Sequence, residues 1–162
     1  MKKKLLVLIG LAFVLVITST LGIAFANGAL VPKKSRPSDY KVGITYQQAI
    51  ENDKPMLVLF YANWCGYCLR FMPKFVVVNA LYGRKYSVVM LDVEAPENQP
   101  MVKKAMLTGF PTLYIIDPKY DNQILLNSAL YGDVSKLRVE LDRYLRIRKL
   151  LDKATDKMDS DE

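Results

Sequence analysis

Three short apolar runs limit the fold more than any other feature of this sequence. They are "MLVLFYA" at residues 56–62, "YSVVMLDV" at 86–93 and "TLYIID" at Thr112–Asp117. Each has the length of one strand, and none shows the in-out alternation of a half-exposed strand, so each suits a position covered on both faces. Helical segments lie between them. "TYQQAIEND" places Tyr46, Ala49 and Ile50 at helical spacing behind Thr45 as N-cap. "LRFMPKFVVVNALYG" predicts a helix with Pro73 inside it and Gly83 as its stop. Residues 97–107 predict another, with Pro100 tolerated in its first turn. A turn at "PKYDN" leads to a fourth strand over residues 123–130. A last helix follows, capped by Asp133 or Ser135, with Leu137, Leu141, Tyr144, Leu145 and Leu151 on one stripe. Alternation ending in a hairpin implies an α/β fold with a mixed sheet and helices on both faces.

The ends of the chain carry a different message. Three lysines follow Met1, and residues 5–26 contain no charge. This layout is that of a secretory signal with a small-x-small cleavage site ending at Ala26, or of a retained membrane anchor about 20 residues long. Both readings put the remaining chain outside the cytoplasm, because the lysines hold the N-terminus inside. The expected organisation is a signal or anchor at 1–26, a linker at 27–43, a domain at 44–151 and a flexible acidic tail at 152–162. The net charge is +7. Without the leading lysines, 20 basic residues face 16 acidic ones, a modest excess that does not call for nucleic acid. The charges of "KLRVELDRYLRIRK" alternate in sign and read as a solvated helix face.

No histidine is present. Histidine-assisted serine or cysteine hydrolysis is thereby excluded, and the commonest metal ligand is missing. The two cysteines are Cys65 and Cys68, between the first strand and the helix after it. At such a junction the free N–H groups and the dipole of the helix favour a negative atom, so the Cys65 thiol should ionise below the free value of about 8.5. Cys68, one turn in, is then the resolving thiol. A disulfide that only staples the chain is a poor alternative, since so small a ring removes little chain entropy. A closed zinc site would need carboxylates in place of further Cys or His, which is rare.

"PMLVLFYANWCGYCLRFMP" resembles the active-site segment of the thioredoxin superfamily in its apolar strand, the Trp64–Cys65 pair, the C-x-x-C and Pro73 five residues beyond. "TGFPTLYIID" is similar to the family's cis-proline loop, and the resemblance extends over residues 44–151. It implies a thioredoxin fold with a central mixed sheet of four or five strands. It also implies a thiol:disulfide oxidoreductase with Cys65 as nucleophile and Cys68 as resolving residue. Pro111 would be cis, and Phe110 would pair main chain to main chain with a substrate; Trp64 and Tyr67 would add an apolar rim, with Gly66 also among the substrate-binding residues. Within the superfamily the chain looks most like exported reductase domains, and its Gly66–Tyr67 dipeptide is that of periplasmic disulfide isomerases. The implied partners are proteins with disulfides or thiols and an extracytoplasmic or membrane redox partner, without a cofactor, metal or nucleic acid. Residues 5–26 offer a route to the membrane.

Two positions depart from the family pattern. Leu59 stands where cytosolic thioredoxins bury an acid, and Met90 stands for its lysine partner. Proton transfer to Cys68 is left to water, or to Asp92 or Glu94, and slow general reduction is expected. The alternative from another class is a binding module that presents Trp64, Tyr67 and Phe110 around a structural disulfide. A peroxidase is a weaker rival, lacking Pro and Thr ahead of the cysteine.

Overall fold

The computed structural model describes residues 34–160, apart from the side chain of residue 159. The expected signal or anchor at 1–26 lies outside the described residues.

The three apolar runs become β1 (Met56–Tyr61), β2 (Ser87–Asp92) and β3 (Thr112–Asp117), and β4 (Asn122–Leu125) completes a sheet of order β2-β1-β3-β4. β1 pairs parallel with β2 and antiparallel with β3, which pairs antiparallel with β4. The helices are α1 (Tyr46–Ile50), α2 (Gly66–Tyr82), α3 (Gln99–Ala105) and α4 (Val134–Ser160). This is the thioredoxin fold in its four-stranded form.

Every residue of β1 is buried because the strand separates two cores. Leu57, Leu59 and Tyr61 face Phe71, Met72, Phe75 and Val78 of α2 and Leu137, Leu141 and Tyr144 of α4. Met56, Val58 and Phe60 face Ala49 of α1 and Ala105, Met101 and Val102 around α3. Each such large side chain contributes about 1.5–3 kcal/mol by leaving water. The two-residue period thus survives in β1, but both faces are apolar.

Local signals account for most helix ends. Thr45 Oγ1 accepts from the Gln48 N–H at 3.2 Å, and Gln48 Oε1 accepts in return from the Thr45 N–H at 3.0 Å, a capping box. Asp133 Oδ1 accepts from Ser135 N–H at 2.8 Å, which selects Asp133 over Ser135 as the cap of α4.

Several expectations need correction. Residues 35–43, expected as part of a free linker, are packed on the domain. Pro37 is buried, and Tyr40 and Val42 lie against the α2-side core. Ser38 N–H donates to Asn63 Oδ1 at 3.2 Å, and Ile44 N–H donates to Val88 O at 2.8 Å. Gly43 makes this approach possible: at φ +77° a Cβ there would sit 2.1 Å from Val88 O. The compact unit accordingly begins at Ser35 rather than at 44. The tail expected to be flexible from 152 is helical to Ser160, anchored where Lys119 and Tyr120 bond Asp152. The strand expected over 123–130 ends at Leu125, and Asn127 Oδ1 then caps a 3-10 turn, Ser128–Leu130. The helix expected over 97–107 is a 3-10 turn at Pro96–Asn98 joined to α3, which stops where Met106 turns left-handed at φ 46°.

Candidate active site

β1 ends beside the cysteines, and the chain reverses tightly there, with Cys65 N–H donating to Ala62 O at 3.1 Å. Cys65 is the N-cap residue of α2, and its sulfur does the work that a Ser or Asp oxygen does at most helix starts. Cys68 N–H donates to Cys65 Sγ at 3.1 Å, and Leu69 N–H donates to Cys65 O at 3.0 Å. The two cysteines are joined by a disulfide across a Cα–Cα distance of 5.2 Å. Cys68 is wholly buried, whereas Cys65 keeps 6% of its surface open.

The β3 loop closes over this pair. The Phe110–Pro111 peptide is cis, as the family resemblance implied. Phe110 O lies 3.8 Å from Cys65 Sγ, and the Thr112 hydroxyl holds the loop by donating to Gly109 O at 2.6 Å. Trp64 and Tyr67 flank the disulfide at 70% and 72% exposure. The Trp64 ring meets Phe110 edge to face at 6.2 Å, and its indole N–H donates to Glu94 Oε1 at 3.0 Å. Tyr67 lies under the Arg70 guanidinium, 4.4 Å from the ring centroid. Gly66 is exposed, and a Cβ there would meet only the Arg70 side chain, at 3.8 Å. The structure therefore brings Cys65, Trp64, Gly66, Tyr67, Phe110 and Pro111 together at one surface, with Cys68 buried beneath it.

Leu59 and Met90 are register partners on β1 and β2, so no ionisable side chain occupies either member of that pair. The two carboxylates expected as proton carriers are otherwise engaged. Asp92 accepts from Asn63 Nδ2 at 2.6 Å and from Glu94 N–H at 3.1 Å, and Glu94 holds the Trp64 indole. The Tyr61 hydroxyl is pushed up to about 12, first by burial and then by the charge of Asp92, so it stays protonated at neutral pH.

Two supporting residues escaped the sequence reading. Asn63 ties the packed N-terminal segment to Asp92 by accepting from Ser38 N–H. Its place between β1 and the cysteines was its only signal. Tyr131 stacks on Phe71 at 5.4 Å; its hydroxyl accepts from Leu113 N–H and donates to Leu126 O, both at 2.9 Å. It fixes the start of β3 beside Pro111, and no local pattern announces it. Among the described residues, no three His, Cys, Asp or Glu side chains gather as metal ligands.

Comparison with known proteins agrees with this geometry. The thioredoxin family model matches residues 40–130. Protein disulfide-isomerase 1 of Dictyostelium discoideum is 38% identical over 66 residues, which cover 40% of this chain and 18% of that protein. Protein disulfide isomerase-like 2-1 of Oryza sativa subsp. japonica is 30% identical over 69 residues, 43% of this chain and 19% of that one. The chain thus matches about a fifth of the length of these relatives. Among solved structures, the Trx4 domain of ERdj5 superposes with a TM-score of 0.51 at 23% identity, over 64% of this chain and 94% of that domain. The germline-specific thioredoxin Deadhead of Drosophila melanogaster gives the same score and identity, over 64% and 98%.

Proposed function

We propose that this chain, which belongs to the thioredoxin family, is an exported thiol:disulfide oxidoreductase acting on other extracytoplasmic proteins. One observation carries the reading: the Cys65 sulfur caps α2 through the Cys68 N–H and lies 3.8 Å from Phe110 O. Negative charge on that sulfur is stabilised by the helix start, and an extended substrate pairing with Phe110 lies beside it. The charged start followed by the uncharged stretch 5–26 supports export.

In the reducing direction, the Cys65 thiolate attacks one sulfur of a substrate disulfide. A Cys65–substrate bond forms, the substrate bond breaks, and the departing thiolate takes a proton from water. Cys68 then gives up its proton and attacks Cys65 Sγ, which releases the second substrate thiol. The substrate gains two electrons, and the Cys65–Cys68 disulfide is the oxidised product. A dithiol partner must restore it. With Leu59 on the central strand and Met90 beside it on the edge strand β2, neither side chain can take the Cys68 proton, which leaves to water and makes this step slow. The Gly66–Tyr67 dipeptide brings no extra positive charge, so the reduction potential should lie between about −270 and about −120 mV.

The test is a trap. Reduced Cys68→Ser protein mixed with insulin should accumulate a reducible Cys65 adduct, while wild-type protein should turn over without one, more slowly than a cytosolic thioredoxin. Absence of the adduct would leave the binding-module reading, in which Trp64, Tyr67 and Phe110 hold a partner noncovalently. Titration against glutathione checks the potential.

A further inference from the structure

A cleft of about 310 Å³ opens next to the disulfide, walled by Tyr67, Phe110, Pro111 and Tyr131 and edged by Arg70 and Lys74. Its charge is one-sided. Two cations edge it and no carboxylate lines it. Among the nearby acids, Asp133 follows the lining Gly132 but is engaged as the cap of α4 by the Ser135 N–H. Asp92 and Glu94 belong to the Trp64 side, where Asn63 and the indole hold them. Arg70 is also held in place, because stacking on Tyr67 restricts its guanidinium and leaves the edge N–H groups for an anion. Lys74 follows one turn later on α2 and shares that face. Pro111 forms the cleft's inner edge, so a peptide laid along Phe110 would send a neighbouring side chain into it.

We propose that this cleft receives a carboxylate side chain of the substrate. Arg70 and Lys74 then make the enzyme prefer disulfides flanked by Asp or Glu. The proposal rests on the oxidoreductase reading and deepens it by naming the substrate class. An exposed pair of this kind is worth a factor of about five at low salt, and screening removes most of it.

The experiment uses reduced wild-type protein and disulfide-linked peptides of one sequence. A single residue within three positions of the reacting cysteine is Glu, Gln or Lys, scanned on both sides. At the position that reaches the cleft, kcat/KM should fall in the order Glu, Gln, Lys, with about fivefold between the first two. The order should flatten in 0.5 M NaCl and in the double variant Arg70→Gln, Lys74→Gln, and Arg70→Glu should shift it toward the Lys peptide. An equal rate for the three peptides at every position overturns the proposal, as does a Glu preference that survives in the double variant. Hydroxyethyl disulfide, which is uncharged and too small to span the cleft, separates the two levels. If the wild type fails to reduce it and all the peptides, the oxidoreductase reading itself is lost, and the proposal with it.

Discussion

The two ends of the sheet handle polar groups in opposite ways. At the cysteine end, the Cys65 sulfur keeps a small opening to solvent, the aromatic rim is exposed, and the hydrogen bonds fix backbone rather than fill space. At the far end, Asp117 is 1% exposed at the last position of β3. Arg148 of α4 brings Nε to 2.9 Å from its Oδ2, the Tyr144 hydroxyl donates to the same oxygen at 3.0 Å, and the other side of Arg148 bonds Asp53 at 2.7 Å. That cluster locks a 27-residue helix to the entry of β1 and the exit of β3. A charge buried with partners holds position, because separating it from them leaves it without water. A sulfur at a helix start with one open side remains available for exchange. One end of the fold carries order and, on the proposed reading, the other carries chemistry.

If that division is right, changes at the two ends should affect different measurements. Cys65→Ser should abolish reduction of insulin and of hydroxyethyl disulfide, the largest effect expected. Its melting temperature against reduced wild type should move far less than that of Asp117→Ala. Asp117→Ala should cost roughly 3 kcal/mol in urea denaturation, the lower end for an orphaned buried charge because Asp53 still holds Arg148. The folded fraction should keep its turnover, and lost turnover in fully folded protein would erase the distinction. Tyr131→Phe lies between the two cases. It leaves Leu113 N–H and Leu126 O buried without their shared partner, at about 1–3 kcal/mol, and loosens the loop ahead of β3. Both stability and KM should therefore change.

The smallest effect belongs to Asp152, whose carboxyl is held below the usual range by the bonds from Lys119 and Tyr120. A depressed acid contributes stability above its unfolded value, near 3.8, and loses that contribution as pH falls through the folded value. Wild type should exceed Asp152→Asn by a fraction of a kcal/mol at pH 6, and the two should converge in strong acid. At the alkaline limit, burial and then the bond to Asp117 push Tyr144 up to about 12. Stability should hold below pH 10 and decline as pH rises toward 12, with the tyrosinate absorbance as the readout.

Much of this architecture was legible along the chain because its signals are local. The strands could be read from residues 56–62, 86–93 and 112–117, since a continuous apolar run has few other fates. Thr45 with Gln48, Pro100 and Asp133 mark helix starts by chemistry that acts within a turn. Where the reading failed, the deciding partner was distant. Residues 35–43 show no apolar period, yet they pack because Val88 and Asn63 meet them. Residues 152–160 look frayed until Lys119 and Tyr120 supply anchors. Asn63, Tyr131 and the Arg70–Lys74 cleft share this property: each is defined by groups that only folding brings near.

The sequence alone determined the order of elements and the placement of both thiols at a strand-to-helix junction, because hydrophobic periodicity and capping are short-range effects. Only the tertiary structure decided which groups surround the Cys65 sulfur. The Phe110 carbonyl beside it comes from 45 residues away, and chain closure over such distances is set by the whole core rather than by any one stretch.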